Sequence, residues 1–77
     1  MRAQHPGKFL AEFIRPETKK SFAKRLGVSR QTLWELLNEK QRVELAMAER
    51  LARVTDKDPR FWLQMQLDYD LAESRHG

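Results

Sequence analysis

Apolar side chains recur along this chain with the three-to-four-residue step of an α-helix, and glycine, proline or Asp-Pro breaks one run from the next. His5-Pro6-Gly7 opens the first run, since proline is tolerated in a first helical turn; Phe9, Leu10, Phe13 and Ile14 make its inward stripe, and Pro16 ends it. Phe22, Ala23 and Leu26 form a second stripe, closed by Gly27. Leu33, Leu36 and Leu37 form a third. A polar loop then runs to about Val43, and a helix over about 44–54 buries Met47, Ala48, Leu51 and Ala52. Thr55-Asp56-Lys57 is a turn, and Asp58-Pro59, a capping residue followed by proline, starts a helix reaching about Glu73. Few β-branched residues and no two-residue hairpin signal leave no place for strands, so the expected class is all-α.

The stretch from Thr18 to Asn38 is the most informative. Glycine enters the left-handed conformation freely, so Gly27 can stop the helix and turn the chain at once. Val28 supplies an apolar plug at the corner, and Ser29 is a good N-cap for the helix that follows. Ala23 matters by its size, because two helices crossing near a right angle leave no room for a larger side chain where their axes approach. A small residue, then a glycine four positions on, then an apolar residue and another five further is the helix-turn-helix spacing.

At about 100° per residue, Leu33, Leu36 and Leu37 share the inward side of the second helix of this pair. Arg30, Gln31, Trp34, Glu35 and Asn38 then face outward. These types suit base edges: arginine pairs bidentately with guanine, glutamine with adenine, and glutamate accepts from cytosine. Glu35 has a second reading, as partner of a neighbouring arginine. Trp34 also has two, resting on the core rim beside Leu37 or touching a thymine methyl or a sugar.

Charge changes the picture further. Eight basic residues from Arg15 to Arg42 stand against three acidic ones, so more than the whole net charge of +4 lies on this segment. Lys19 and Lys20 sit in a first helical turn, where cations oppose the helix dipole by roughly 0.3–1 kcal/mol each. Phosphates docking on that N-terminus give them a purpose. Lys40 follows the third stripe and extends the same basic set. The bland alternative is a solvated basic face.

The 77 residues make one domain, expected over 1–77, that buries only about 60% of its unfolded surface, so a partner would help it. No cysteine is present, which fits a reducing cytosol, and neither a signal peptide nor a membrane-length apolar run is visible. Cytoplasmic location is the expectation. Catalysis lacks its parts: the histidines are His5 and His76, no glycine-rich phosphate loop exists, and Asp68 and Asp70 fall on different helix sides. No enzyme activity, metal or cofactor is expected.

The last helix divides its apolar residues. Phe61, Trp62, Met65, Tyr69 and Ala72 cluster on one side, Leu63, Leu67 and Leu71 lie nearly opposite, and Gln64, Gln66, Asp68 and Asp70 separate them. Two opposed apolar faces call for two partners, the domain's own core and a second molecule. The simplest second molecule is an identical chain, because dimeric helix-turn-helix proteins place two reading helices about 34 Å apart, and Leu63, Leu67 and Leu71 are then the dimer contact. The alternative is that so small a domain wraps its own chain around both faces.

His5-Pro6-Gly7, LGVSRQTLWELLN at 26–38, MAERLA at 47–52 and PRFWLQMQLDYDLA at 59–72 together resemble the HigA (VapI-type) antitoxins of the XRE helix-turn-helix class, over nearly the whole chain. The resemblance implies a five-helix, lambda-repressor-like DNA-binding domain that is a homodimer. It implies repression of the protein's own operon at a palindromic double-stranded operator, and neutralisation of a HigB toxin, an mRNA-cleaving ribonuclease of the RelE type. By position, Ser29, Arg30, Gln31 and Thr32 open the DNA-reading helix, with Trp34 on its groove side. Glu39 and Asp56 stand where the family often has glycine, and Glu44 where it often has a threonine cap. These departures bear on loop geometry, and an acid at 39 would also repel phosphate. A stand-alone phage-like repressor, or a protein-interaction module with a vestigial helix-turn-helix, are the other readings.

Overall fold

The order of elements is α1 (Pro6–Ile14), α2 (Lys19–Leu26), α3 (Arg30–Leu37), α4 (Leu45–Val54) and α5 (Pro59–Ser74). They come from a computed structural model that describes residues 3–14 and 18–74, among which there is no strand. Each start follows from local chemistry. At α1 the ring of His5 caps the helix: its Nδ1 accepts from the Gly7 N–H at 2.9 Å, and its carbonyl accepts from Lys8 at 3.0 Å. Pro16, expected to end α1, lies outside the described residues. Thr18 and Ser29 cap α2 and α3, and Asp58 Oδ1 accepts from the Phe61 N–H at 3.0 Å ahead of α5.

Two of the family departures resolve here. Glu44 stands at the N-cap of α4 without a side-chain cap bond; its carboxylate lies 3.6 Å from Arg42 Nε instead. After α4 the backbone leaves through an extended Thr55 (φ −125°, ψ 175°), whose hydroxyl donates to the Leu51 carbonyl at 2.7 Å. That closure requires no left-handed residue, so Asp56 stands where glycine has no task. Among the described residues only Gly27 and Glu39 have positive φ.

The helices pack as α1 against α3 and α5, α2 against α3 and α4, and α4 along α5. Trp62 fills the middle with no exposure, and the rings of Phe9, Phe13 and Phe61 surround it at centroid distances of 5.8, 6.1 and 5.4 Å in tilted and edge-on geometries. Among the described residues its indole Nε1 has no hydrogen-bond partner, a desolvation cost of about 1–3 kcal/mol set against the burial of the largest side chain in the core. Ala23 is buried as its size requires, and Leu33 and Leu36 point inward while Leu37 and Val28 are half-buried. No helix of the described residues is long and apolar enough to cross a membrane.

The expectation for α5 needs correction. Its core side runs from Trp62, at the edge of the first apolar face, to Gln66, 0% and 4% exposed. The sequence pattern puts Gln66 in the polar divide. The cause is a backbone need: the Val43 N–H arrives buried at the end of the α3–α4 loop and donates to Gln66 Oε1 at 2.7 Å. Gln66 Nε2 donates to Asp70 Oδ1 at 2.9 Å, and Asp70 takes both terminal nitrogens of Arg42, at 3.1 and 2.7 Å. This polar chain rotates α5 so that Leu63 packs partly on its own core, leaving Leu67 and Leu71 about half exposed.

Candidate nucleic-acid interface

The two helices of the 18–38 segment are set by hydroxyl caps and a left-handed turn. Thr18 Oγ1 accepts from the Ser21 N–H at 3.1 Å, which fixes the first turn of α2 and leaves Lys19 and Lys20 exposed upon it. Gly27, at φ 84°, closes α2 in a Schellman motif: the Val28 N–H donates to the Ala23 carbonyl at 3.1 Å and the Gly27 N–H to that of Lys24 at 3.2 Å. Arg50, reaching over from α4, caps the same end by donating from Nη1 to the carbonyls of Leu26 (3.3 Å) and Gly27 (3.1 Å). Sequence reading missed both Thr18 and Arg50. Thr18 was legible as a cap residue before a helical run; Arg50 carried no local signal.

Ser29 then begins α3. Its hydroxyl accepts from the Thr32 N–H at 3.0 Å and donates to Thr32 Oγ1 at 3.0 Å, so these two candidate contact residues are tied to each other at the helix start. Arg30, Gln31 and Trp34 share one open concavity of about 530 Å³. Trp34 is 49% exposed, so its indole stands on the outer face rather than within the core rim. Glu35 pairs with Gln31 rather than with an arginine: Gln31 Nε2 donates to its Oε2 at 3.2 Å. Asn38 Nδ2 donates to the Trp34 carbonyl at 2.8 Å.

The far end of α3 closes in a second Schellman motif. The Lys40 N–H donates to the Glu35 carbonyl at 2.7 Å, the Glu39 N–H to that of Leu36 at 3.2 Å, and Glu39 itself takes the left-handed place at φ 62°. Its carboxylate turns towards α1 and α5, accepting from the Tyr69 hydroxyl at 3.3 Å and lying 3.5 Å from Lys8 Nζ. The acid expected to repel phosphate is thus directed into the domain's own contacts. Lys40 is exposed just beyond it. Arg42, counted with the basic segment, is instead engaged by Asp70; that guanidinium holds the Asp70 carboxyl below its ordinary range.

Beneath this end, His5 packs edge-on against Tyr69 at 4.8 Å. Burial pushes its imidazole below the ordinary value near 6.5, against the opposing pull of Glu39 and Asp70.

Two capped helices, a left-handed turn between them and a polar outer face on the second define a helix-turn-helix module. The helix-turn-helix family model matches residues 18–62. An addiction module antidote protein of a HigA family from Coxiella burnetii superposes with a TM-score of 0.87 at 32% identity, over 96% of this chain and 84% of that one. A Pseudomonas aeruginosa antitoxin HigA, solved with the higBA promoter, gives 0.86 at 33% identity over 95% and 83%. A helix-turn-helix-type transcriptional regulator of Haemophilus influenzae is 39% identical over 68 residues, 86% of this chain and 64% of that protein, so the chain spans just under two thirds of this curated relative. The chain belongs to the helix-turn-helix family of XRE type, within its HigA family.

Proposed function

We propose that this protein is the antitoxin of a toxin–antitoxin module that represses its own promoter. As a homodimer it binds a palindromic operator with α3 in the major groove. Arg30, Gln31 and Trp34 face base edges, while Ser29 and Thr32 hold the start of α3 against the backbone. Lys19, Lys20 and Lys40 meet phosphates. The single observation that carries this reading is the division of α3, with Leu33 and Leu36 buried and Arg30 and Gln31 exposed beside an open concavity. The promoter DNA bound by the Pseudomonas relative supports it. The dimer contact is α5 through Leu67 and Leu71, with Leu63 at its inner margin, and the exposed Leu45 at the start of α4 widens the apolar patch. The partner neutralised is a HigB/RelE-type mRNA-cleaving toxin.

The test is a titration of the protein into its own upstream DNA at several salt concentrations. Specific binding with a steep negative salt slope is expected. Arg30→Ala should lose about 1–3 kcal/mol and relax one base position. Equal, weak binding to unrelated duplexes would refute the operator reading, and a monomer in sedimentation at micromolar concentration would refute the dimer. A neighbouring reading frame whose product arrests growth only when this chain is absent is the expected sign of the toxin; its lack would leave a repressor alone.

A further inference from the structure

At about 100° per residue, the exposed Gln31 and the partly buried Glu35 stand about 40° apart on the side of α3 opposite Leu33, with Arg30 and Trp34 to one flank. Gln31 Nε2 donates to Glu35 Oε2 at 3.2 Å. An ionised carboxylate only accepts, so the amide's orientation is decided by chemistry: its NH2 group must face Glu35. One amide hydrogen and the carbonyl oxygen then remain for the groove. Those are the two groups with which a primary amide meets adenine, donating to N7 and accepting from the N6 amino group. A free glutamine amide rotates broadly about its last torsion and has to be ordered on docking. Here one neighbour has already set it.

From this geometry we infer that Glu35 is a positioning residue that presets Gln31 to read adenine, and that its charge weakens binding to DNA in general. The inference rests on the operator-binding reading given above. The concavity beside Gln31 leaves space for a base-pair edge. Guanine in that place would set its O6 acceptor against the Gln31 carbonyl oxygen, so the preset amide selects adenine over guanine. The carboxylate itself faces the phosphate field and is repelled by it. Specificity and general affinity are therefore opposed in one side chain.

The experiment begins with a duplex recovered from a random library by binding to the wild-type protein. Each adenine in it is replaced in turn by guanine or by 7-deazaadenine, which lacks the N7 acceptor, and each cytosine by thymine. Wild type should show one adenine per half-site at which either change costs about tenfold or more, within the range of a bidentate base contact. In Glu35→Ala that penalty should shrink to about threefold or less, while affinity for an unrelated duplex rises. Glu35→Gln keeps an oxygen that accepts from Gln31, so the penalty should return while the raised general affinity stays. In a Gln31→Ala background, Glu35→Ala should change discrimination no further, since the two act as one unit. Circular dichroism checks that each variant keeps its helices. An unaltered adenine penalty in Glu35→Ala overturns the inference, and so does a loss of discrimination at a cytosine, which would make Glu35 a direct reader. A wild type that selects no sequence at all fails earlier, and removes the operator reading and this inference together.

Discussion

Helix α3 is bounded by two turns with the same hydrogen-bond pattern and different solutions to the same steric problem. Before it, the left-handed residue is Gly27, which has no Cβ to strain, and the loose carbonyls are met by Arg50. After it, the left-handed residue is Glu39, for which the conformation costs about 1–2 kcal/mol. The glycine belonging to that second turn lies elsewhere in the chain. Gly7 lies directly against the Leu36 carbonyl, one of the acceptors of the turn, and a Cβ there would overlap that oxygen. Lys8 and Tyr69 then hold the Glu39 carboxylate. The first turn is therefore specified by a residue inside it, and the second by residues distant in sequence that pack around it.

Substitutions separate the two cases. The largest effect is expected for Gly7→Ala, since backbone must move: a loss of about 3 kcal/mol, lowering the melting temperature by more than about 10 °C. An unchanged melting temperature would remove the buttress role of α1. Gly27→Ala should cost about 1–2 kcal/mol through backbone conformation. The new Cβ would lie 2.5 Å from Arg50 Nη1, the end of a flexible side chain that can give way, so adding Arg50→Ala should not restore stability. If it does, crowding and not φ governs that turn.

Glu39→Gly should act in the opposite sense. It relieves the strained φ, worth about 1–2 kcal/mol, and removes a partly exposed ion pair and the Tyr69 hydrogen bond, each worth about 0–1 kcal/mol, for a net gain of about 1 kcal/mol or less in urea unfolding. Glu39→Ala keeps the strain, loses the contacts and should be less stable than wild type. The reverse ranking would show that the carboxylate matters more than the backbone.

The smallest signal comes from acid. His5 binds a proton less readily folded than unfolded, so its contribution is whole above about pH 6.5 and is lost as pH falls through the lower folded value. Once protonated, Nδ1 would present a hydrogen to the Gly7 N–H that it now accepts from. Asp70, depressed by Arg42, adds a second loss below its ordinary value near 3.8. Urea midpoints measured from pH 7 to 3 should show both stages, and His5→Gln should erase the upper one alone. A flat profile above pH 4 in the wild type would refute the His5 stage.

The contrast also explains what was legible in the sequence. Gly27, Ser29 and Asp58-Pro59 act within a few residues of themselves, so their roles could be read from spacing alone. The leucine stripe of α3 and the outward Arg30 and Gln31 were equally local. Glu39 could be seen to depart from glycine, yet its partners Tyr69 and Lys8 come from α5 and α1, which no local pattern joins. Gln66 was misplaced because apolar residues occur almost all round α5, so no single stripe fixed its rotation; the decisive hydrogen bond comes from Val43 in a loop. Arg50 reads as an ordinary exposed cation until α2 is set beside α4.

The two tryptophans sit at opposite extremes, Trp62 sealed at 0% exposure and Trp34 half open on α3. The chain thus carries a pair of native optical reporters with separate addresses. A collisional quencher such as iodide reaches Trp34 first, so the quenchable share of the emission follows whatever covers α3. The shielded remainder follows the integrity of the aromatic centre, and one spectrum distinguishes occupancy from unfolding without any added label.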